Sequence, residues 1–204
     1  MGDPPKIRVL SSRNIYNGRV VRLDVDRIVE PSGMEVEREI VRHPGAAVLL
    51  PVTADGRVIL IRQFRYAAGE IMLEVPAGTI DPGETPEETA GRELVEETGY
   101  HAGRLEKLAE FFPSPGILAE RMHLFLATEL EKREASPDAD ESLELVELPW
   151  ERALALEPGK DVRDAKTIVA LSFLRRHPLF TTTGLRPSGS GQARRSPAKA
   201  AGPR

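Results

Sequence analysis

Residues 46–52 read Ala-Ala-Val-Leu-Leu-Pro-Val, without one charged or polar side chain. An apolar run this short, without alternation, is the mark of a strand buried on both faces. Whatever else the chain builds must cover that strand above and below. Ala54-Asp55-Gly56 then signals a turn. Further strands are expected over 57–64, 72–76, 105–112, 122–129 and 143–148. Helices are expected over 86–98, 150–156 and 161–176. The last carries Ala165, Ile168, Leu171 and Leu174 at helical spacing and stops at His177-Pro178. Strands mixed with few helices, and no regular βαβ alternation, point to the α+β class with a mixed sheet sandwich.

The start of the chain reads differently. Residues 19–30 alternate, with Val21, Leu23 and Val25 on one side and Arg22, Asp24 and Asp26 on the other. Pro31-Ser32-Gly33 is a turn signal, and 34–41 returns as a second strand. A lone hairpin is marginal in water, so this unit must pack on the main domain or on a second subunit. His43-Pro44-Gly45 breaks the pattern. The expected division is a small antiparallel β unit at 1–43, a main domain at 44–180 and a tail at 181–204.

Composition closes off several classes. A chain of 204 residues is long enough to bury a core without staples. With no cysteine, it has no disulfide framework, no Cys-ligated metal and no thiol nucleophile. No apolar run reaches membrane-spanning length, and MGDPPKIRVL lacks the layout of a signal peptide. A cytoplasmic protein is therefore expected. The formal net charge of −4 argues against nucleic-acid binding by the body of the chain. Arg186, Arg194, Arg195, Lys199 and Arg204 lie in the tail with no acids, leaving about −9 on the rest. That tail is rich in Thr, Ser, Gly, Pro and Ala, a composition that reads as disordered.

The chemistry concentrates near residue 90. Thr85-Pro86-Glu87-Glu88 is a helix start: Thr85 caps, Pro86 suits the first position and Glu88 completes a capping box. Gly99 sits where a helix stops in a left-handed turn. Between them Glu93, Glu96 and Glu97 fall on one face, with Gly91, Leu94 and Val95 opposite for packing. Like charges at this spacing repel by a few tenths of a kcal/mol per pair (order of magnitude). Oxygen-rich clusters of this kind suit Mg²⁺ or Mn²⁺, although an acidic solvated face looks the same from the helix alone.

The loop before the helix, Ala77-Gly78-Thr79-Ile80-Asp81-Pro82-Gly83-Glu84, settles the weighing. Gly78, Glu84, Arg92, Glu93, Leu94, Glu96, Glu97 and Gly99 fit G-x5-E-x7-R-E-U-x-E-E-x-G-U, where U is a bulky aliphatic. This resembles the Nudix box of the Nudix hydrolase family, and only Tyr100, at the last U, departs from it. Pro115, sixteen residues past Gly99, looks like the mark of the ADP-ribose pyrophosphatase branch. Gln63-Phe64-Arg65, Leu73–Gly78 and Asp164-Ala165-Lys166-Thr167 are similar to that branch too.

The resemblance implies a Nudix α/β/α sandwich, swapped homodimers formed through the N-terminal strands, and hydrolysis of ADP-ribose to AMP and ribose 5-phosphate. It implies Mg²⁺, with Mn²⁺ the alternative, held by Glu93, Glu96, Glu97 and the carbonyl of Ala77. Arg92 would orient a box carboxylate, and Glu84 would serve an outer or structural role. Glu141, in the acidic run Asp138–Ser142, aligns best with the branch's general base, with Glu144 second. Arg65 is the expected phosphate contact, since a guanidinium forks phosphate oxygens, and Ser114 and Gly116 are expected near substrate. Glu120 is a lesser candidate for the metal–water network. His43, His101, His123 and His177 have no partner pattern and read as structural or exposed. Two other readings share the box: hydrolysis of another nucleoside diphosphate such as GDP-mannose, and a regulatory module that binds without turnover.

Overall fold

The computed structural model describes residues 7–133 and 142–178. In chain order the elements are β1 (Arg8–Asn17), β2 (Arg22–Val29), β3 (Glu35–Arg42), β4 (Ala46–Pro51), β5 (Arg57–Arg65), β6 (Glu70–Glu74) and β7 (Ala77–Thr79). Then follow α1 (Pro86–Thr98), β8 (Tyr100–Phe111), β9 (Met122–Lys132), β10 (Leu143–Pro149), α2 (Trp150–Leu154) and α3 (Ala165–Leu174). Among the described residues three sheets form, ordered β1-β2-β3, β10-β5-β6 and β7-β4-β9-β8. The last is mixed: β4 runs parallel to β9 and antiparallel to β7. The expected 181–204 tail and Glu141 lie outside the described residues.

Every residue of β4 is buried, and its alternate side chains feed two cores. Val48 and Leu50 pack with Leu60, Leu124, Leu126 and the α3 residues Ala170, Leu171 and Leu174. Ala47 and Leu49 pack with Ile59, Phe125 and the α1 residues Ala90 and Leu94. The apolar run therefore has a helix on each side, as its composition requires. The packing face of α1 is turned from the one expected. Ala90, Leu94 and Thr98 are buried, whereas Gly91 and Val95 are only half-buried. Ala90 and Leu94 stand four residues apart and so lie one above the other.

The N-terminal sheet holds two departures. The sequence shows no strand at β1, all of whose residues are exposed, so no burial pattern marks it. In β2 the expected sidedness is reversed: Asp24 and Asp26 are 3% and 2% exposed, while Leu23 and Val25 are only half-buried and Val21, just before the strand, is exposed. Ion pairs explain the inversion. Asp24 accepts from Asn14 Nδ2 at 3.0 Å, Arg22 Nε at 3.0 Å and Arg42 Nε at 3.3 Å. Arg42 also pairs with Asp26. These bonds offset the cost of burying the two carboxylates, although Asp26 Oδ1 has no hydrogen-bond partner among the described residues. β3 joins the rest through Val41, whose N–H donates to Ile117 O and whose O accepts from Ala119 N–H, both at 2.9 Å.

Candidate active site

A cleft of about 1100 Å³ opens between α1, β5, β7 and the start of α3. One wall belongs to α1, and local chemistry sets its position. Thr85 Oγ1 accepts from Glu88 N–H at 3.2 Å, and Glu88 Oε2 accepts from Thr85 N–H at 2.8 Å. Gly99 closes the helix with φ 68°, its N–H donating to Val95 O. Between these caps the helix is fixed in register, with Glu93 and Glu96 facing the cleft and Glu97 buried beneath them.

Arg92 organises that wall. Its Nε and Nη2 donate to the two oxygens of Glu84 at 3.0 and 2.9 Å. Its Nη1 donates to Glu93 Oε1 at 2.8 Å and Glu96 Oε2 at 2.9 Å. One guanidinium thus cancels part of the repulsion among three acids. Arg92 in turn, with Thr89 Oγ1, draws the Glu84 carboxyl down to about 2. Glu97 Oε2 accepts from the Ala77 N–H at 3.0 Å and straps β7 onto α1. At Gly78 the Glu93 carboxyl lies so close that a Cβ would sit 1.8 Å from its Cδ.

Among the described residues, no three acidic or imidazole side chains converge as a closed cation site; Glu93 and Glu96 are turned to Arg92 instead. The donor chemistry nevertheless fits a hard divalent cation. Glu93, Glu96, Glu97 and the Ala77 carbonyl offer oxygen alone, and the bare Gly78 lets the Glu93 carboxyl press against the β7 backbone beside Ala77.

The opposite wall is cationic. Arg65 forks Glu74 through Nε and Nη2 at 2.9 and 2.8 Å. Glu74 is 1% exposed and also takes a bond from Lys166 Nζ, which stands 3.1 Å from Asp164 Oδ1. Burial alone would raise the Glu74 pKa, but Arg65 and Lys166 hold it below the ordinary carboxylate value. The bond to Glu74 raises the Arg65 pKa against burial. Arg65 and Lys166 line the cleft. The fork expected to meet phosphate is therefore taken by Glu74, leaving Nη1 as the free edge among the described residues. No role for Lys166 is assigned from sequence. Its signal is that it is the one charged residue in the otherwise uncharged stretch AKTIVALSFL of α3.

The remaining expected residues divide. His43 and Glu120 line the cleft, although His43 reads from sequence as structural or exposed. Its Nδ1 accepts from Gly45 N–H at 3.1 Å. Ser114 and Gly116 do not line it. They occupy an exposed turn after β8, where Ser114 O accepts from Ile117 and Leu118 N–H. β10 begins at Leu143 opposite Gln63, a cleft residue. Glu144, the next residue, is exposed and pairs with Arg62 at 2.6 Å. Tyr100, the departure from the box pattern, is buried and donates its hydroxyl to Glu147 at 2.9 Å.

This chain is similar to several known proteins. A NUDIX domain model matches residues 41–171. An ADP-ribose pyrophosphatase of Bacillus subtilis (strain 168) is 44% identical over 172 residues, covering 82% of this chain and 92% of the relative. A methanol dehydrogenase activator of Bacillus methanolicus is 39% identical, covering 86% and 96%. A GDP-mannose pyrophosphatase of Salmonella arizonae (strain ATCC BAA-731 / CDC346-86 / RSK2980) is 36% identical, covering 68% and 77%. Among solved structures, an ADP compounds hydrolase superposes with a TM-score of 0.73 at 25% identity, covering 86% of this chain and 96% of that one. With the family model running from the end of β3 into α3, over the whole acid-bearing helix and both walls of the cleft, this chain belongs to the Nudix family.

Proposed function

We propose that this Nudix hydrolase cleaves the pyrophosphate bond of ADP-ribose, releasing AMP and ribose 5-phosphate. The observation that carries the reaction type is the cleft itself, with box acids on one wall and Arg65 on the other. The choice of ADP-ribose rests on the 44% identity to an ADP-ribose pyrophosphatase over 92% of its length.

Glu93, Glu96, Glu97 and the Ala77 carbonyl would hold Mg²⁺, with Mn²⁺ the alternative. When bound, such an ion neutralises the diphosphate and makes water a better nucleophile. Arg92 holds Glu93 and Glu96 in place, and a bound cation would share both carboxylates with it. Arg65 meets a phosphoryl oxygen through Nη1. Water attacks the adenosine-side phosphorus, the bond from that phosphorus to the bridging oxygen breaks, and ribose 5-phosphate leaves. Glu141 takes the proton of the attacking water. Glu144 is the weaker choice, because it pairs with Arg62 beside the cleft residue Gln63 rather than within the cleft lining.

The working form is a homodimer in the cytoplasm. The apolar side chains Val9, Leu10, Ile15 and Tyr16, exposed on β1, support the pairing. Turnover of GDP-mannose is the second reading, favoured by the relatives of that name but at lower identity. A regulator without turnover is the third, and the intact Glu93, Glu96 and Glu97 count against it.

The test is AMP release from ADP-ribose across a Mg²⁺ titration, for the wild type and Glu97→Gln. The wild type should turn over and stop in chelator, and the variant should lose at least about 10²-fold in kcat. Equal activity of the two would remove Glu97 from the site. Tight binding without turnover by the wild type would favour the regulator.

A further inference from the structure

The turn between β3 and β4 brings to the cleft a histidine that the proposed reaction does not use. Backbone bonds pin it on both sides. Before it, Val41 O accepts from Ala119 N–H at 2.9 Å; after it, Ala46 N–H donates to Arg121 O at 3.0 Å. Gly45, at φ 108°, lies so close that a Cβ would stand 3.0 Å from Arg121 O. His43 and Glu120 sit between these two bonds and so share a fixed frame. Their side chains are 10% and 15% exposed, and both line the cleft.

His43 Nδ1 accepts from Gly45 N–H at 3.1 Å, so that nitrogen carries no hydrogen. The ring is neutral in this arrangement, with its one N–H at Nε2. Nε2 has no partner among the described residues and is open rather than sealed. Because His43 lines the cleft, that donor is offered to whatever the cleft holds. The neighbouring charge narrows the choice. Glu120 Oε1 stands 3.8 Å from His43 Nδ1. A phosphoryl oxygen beside that carboxylate is repelled, whereas a hydroxyl accepts from an N–H and donates to a carboxylate at once.

We propose that His43 Nε2–H donates to a ribose hydroxyl of the nucleoside diphosphate, with the Glu120 carboxylate as the acceptor beside it. This rests on the nucleoside diphosphate reading above and adds a sugar contact that it lacks. The hydroxyl belongs to the nucleoside ribose or to the terminal ribose, and ADP and ribose 5-phosphate tell the two apart. The bond acts on binding, so losing it raises KM more than it lowers kcat.

The experiment compares two variants with the wild type by calorimetric titration without metal, using ADP, ribose 5-phosphate and inorganic pyrophosphate. His43→Asn keeps an acceptor for Gly45 N–H and removes the far donor. His43→Gln places an amide N–H near Nε2 and removes the acceptor. A histidine that only holds its turn would show the second change and not the first. The expected result is that His43→Asn melts with the wild type and loses about five- to tenfold in affinity for ADP or for ribose 5-phosphate, with pyrophosphate unchanged. His43→Gln should melt lower and keep most of that affinity. With ADP-ribose and Mg²⁺, His43→Asn should raise KM by the same factor with kcat within about threefold. Wild-type affinity of His43→Asn for both sugar phosphates, an equal loss for pyrophosphate, or a wild type that binds neither sugar phosphate would overturn the contact. If His43→Asn does not fold, the imidazole Nε2–H signal of wild-type His43 is followed by NMR: it should shift with the sugar phosphate that binds and not with pyrophosphate, and no shift overturns the contact. If the wild type does not cleave ADP-ribose, the substrate reading falls while these titrations still decide the contact.

Discussion

At Gly78 a methyl group would collide with the Glu93 carboxyl, 1.8 Å from its Cδ. Gly78→Ala must therefore push Glu93 away from β7. The expected outcome is a fall in kcat of about 10²-fold or more with a melting temperature close to wild type, since no core side chain is touched. Activity within a few-fold of wild type would show that the Glu93 position is not needed. Glu84 gives a second prediction at this scale. Its folded pKa is depressed from 4.5 to about 2 by Arg92 and Thr89. Its stabilisation is therefore complete above about pH 4.5 and is lost as pH falls toward 2. Urea unfolding should show Glu84→Gln losing less stability than wild type across that window; parallel curves would mean the Arg92 pairing adds nothing. The box acids are legible in sequence because their spacing is local. Glu74 and Lys166, 92 residues apart, leave no local pattern, so the occupied fork of Arg65 appears only in three dimensions.

Among elements, α1 has both ends read correctly, because cap, Pro86 and Gly99 define the segment locally, although its packing face is not the one expected. Thr85→Ala should cost about 1 kcal/mol, and Leu94→Ala, fully buried between α1 and β4, about 2–5 kcal/mol. Denaturant midpoints check both. A larger effect for the cap than for the core would contradict the packing described. Where an element depends on distant partners, the sequence misleads. β2 buries its aspartates because Asn14 and Arg42 reach them from neighbouring strands. β7 is three residues long, too short for any period, and is a strand only because β4 lies beside it. β1 buries nothing in one chain and so shows no hydrophobic face to read.

For the whole molecule, the exposed apolar side chains of β1 are the feature a single copy leaves unexplained. Light scattering should give about twice the chain mass of 22.4 kDa. A monomer at micromolar concentration would contradict the dimer and leave the β1 face without a role. The mixed sheet, the two cores and the acid-bearing helix all follow from patterns visible along the chain, whereas the cationic wall and the N-terminal sheet's inverted face come from tertiary pairing. The substrate that the cleft hydrolyses is the central question. Measuring kcat/KM for ADP-ribose and GDP-mannose in parallel, with Mg²⁺ and then with chelator, tests it most directly. The expected result is a clear preference for ADP-ribose, AMP as the nucleotide product and no activity in chelator; preference for GDP-mannose, or turnover of neither, would overturn the proposed function.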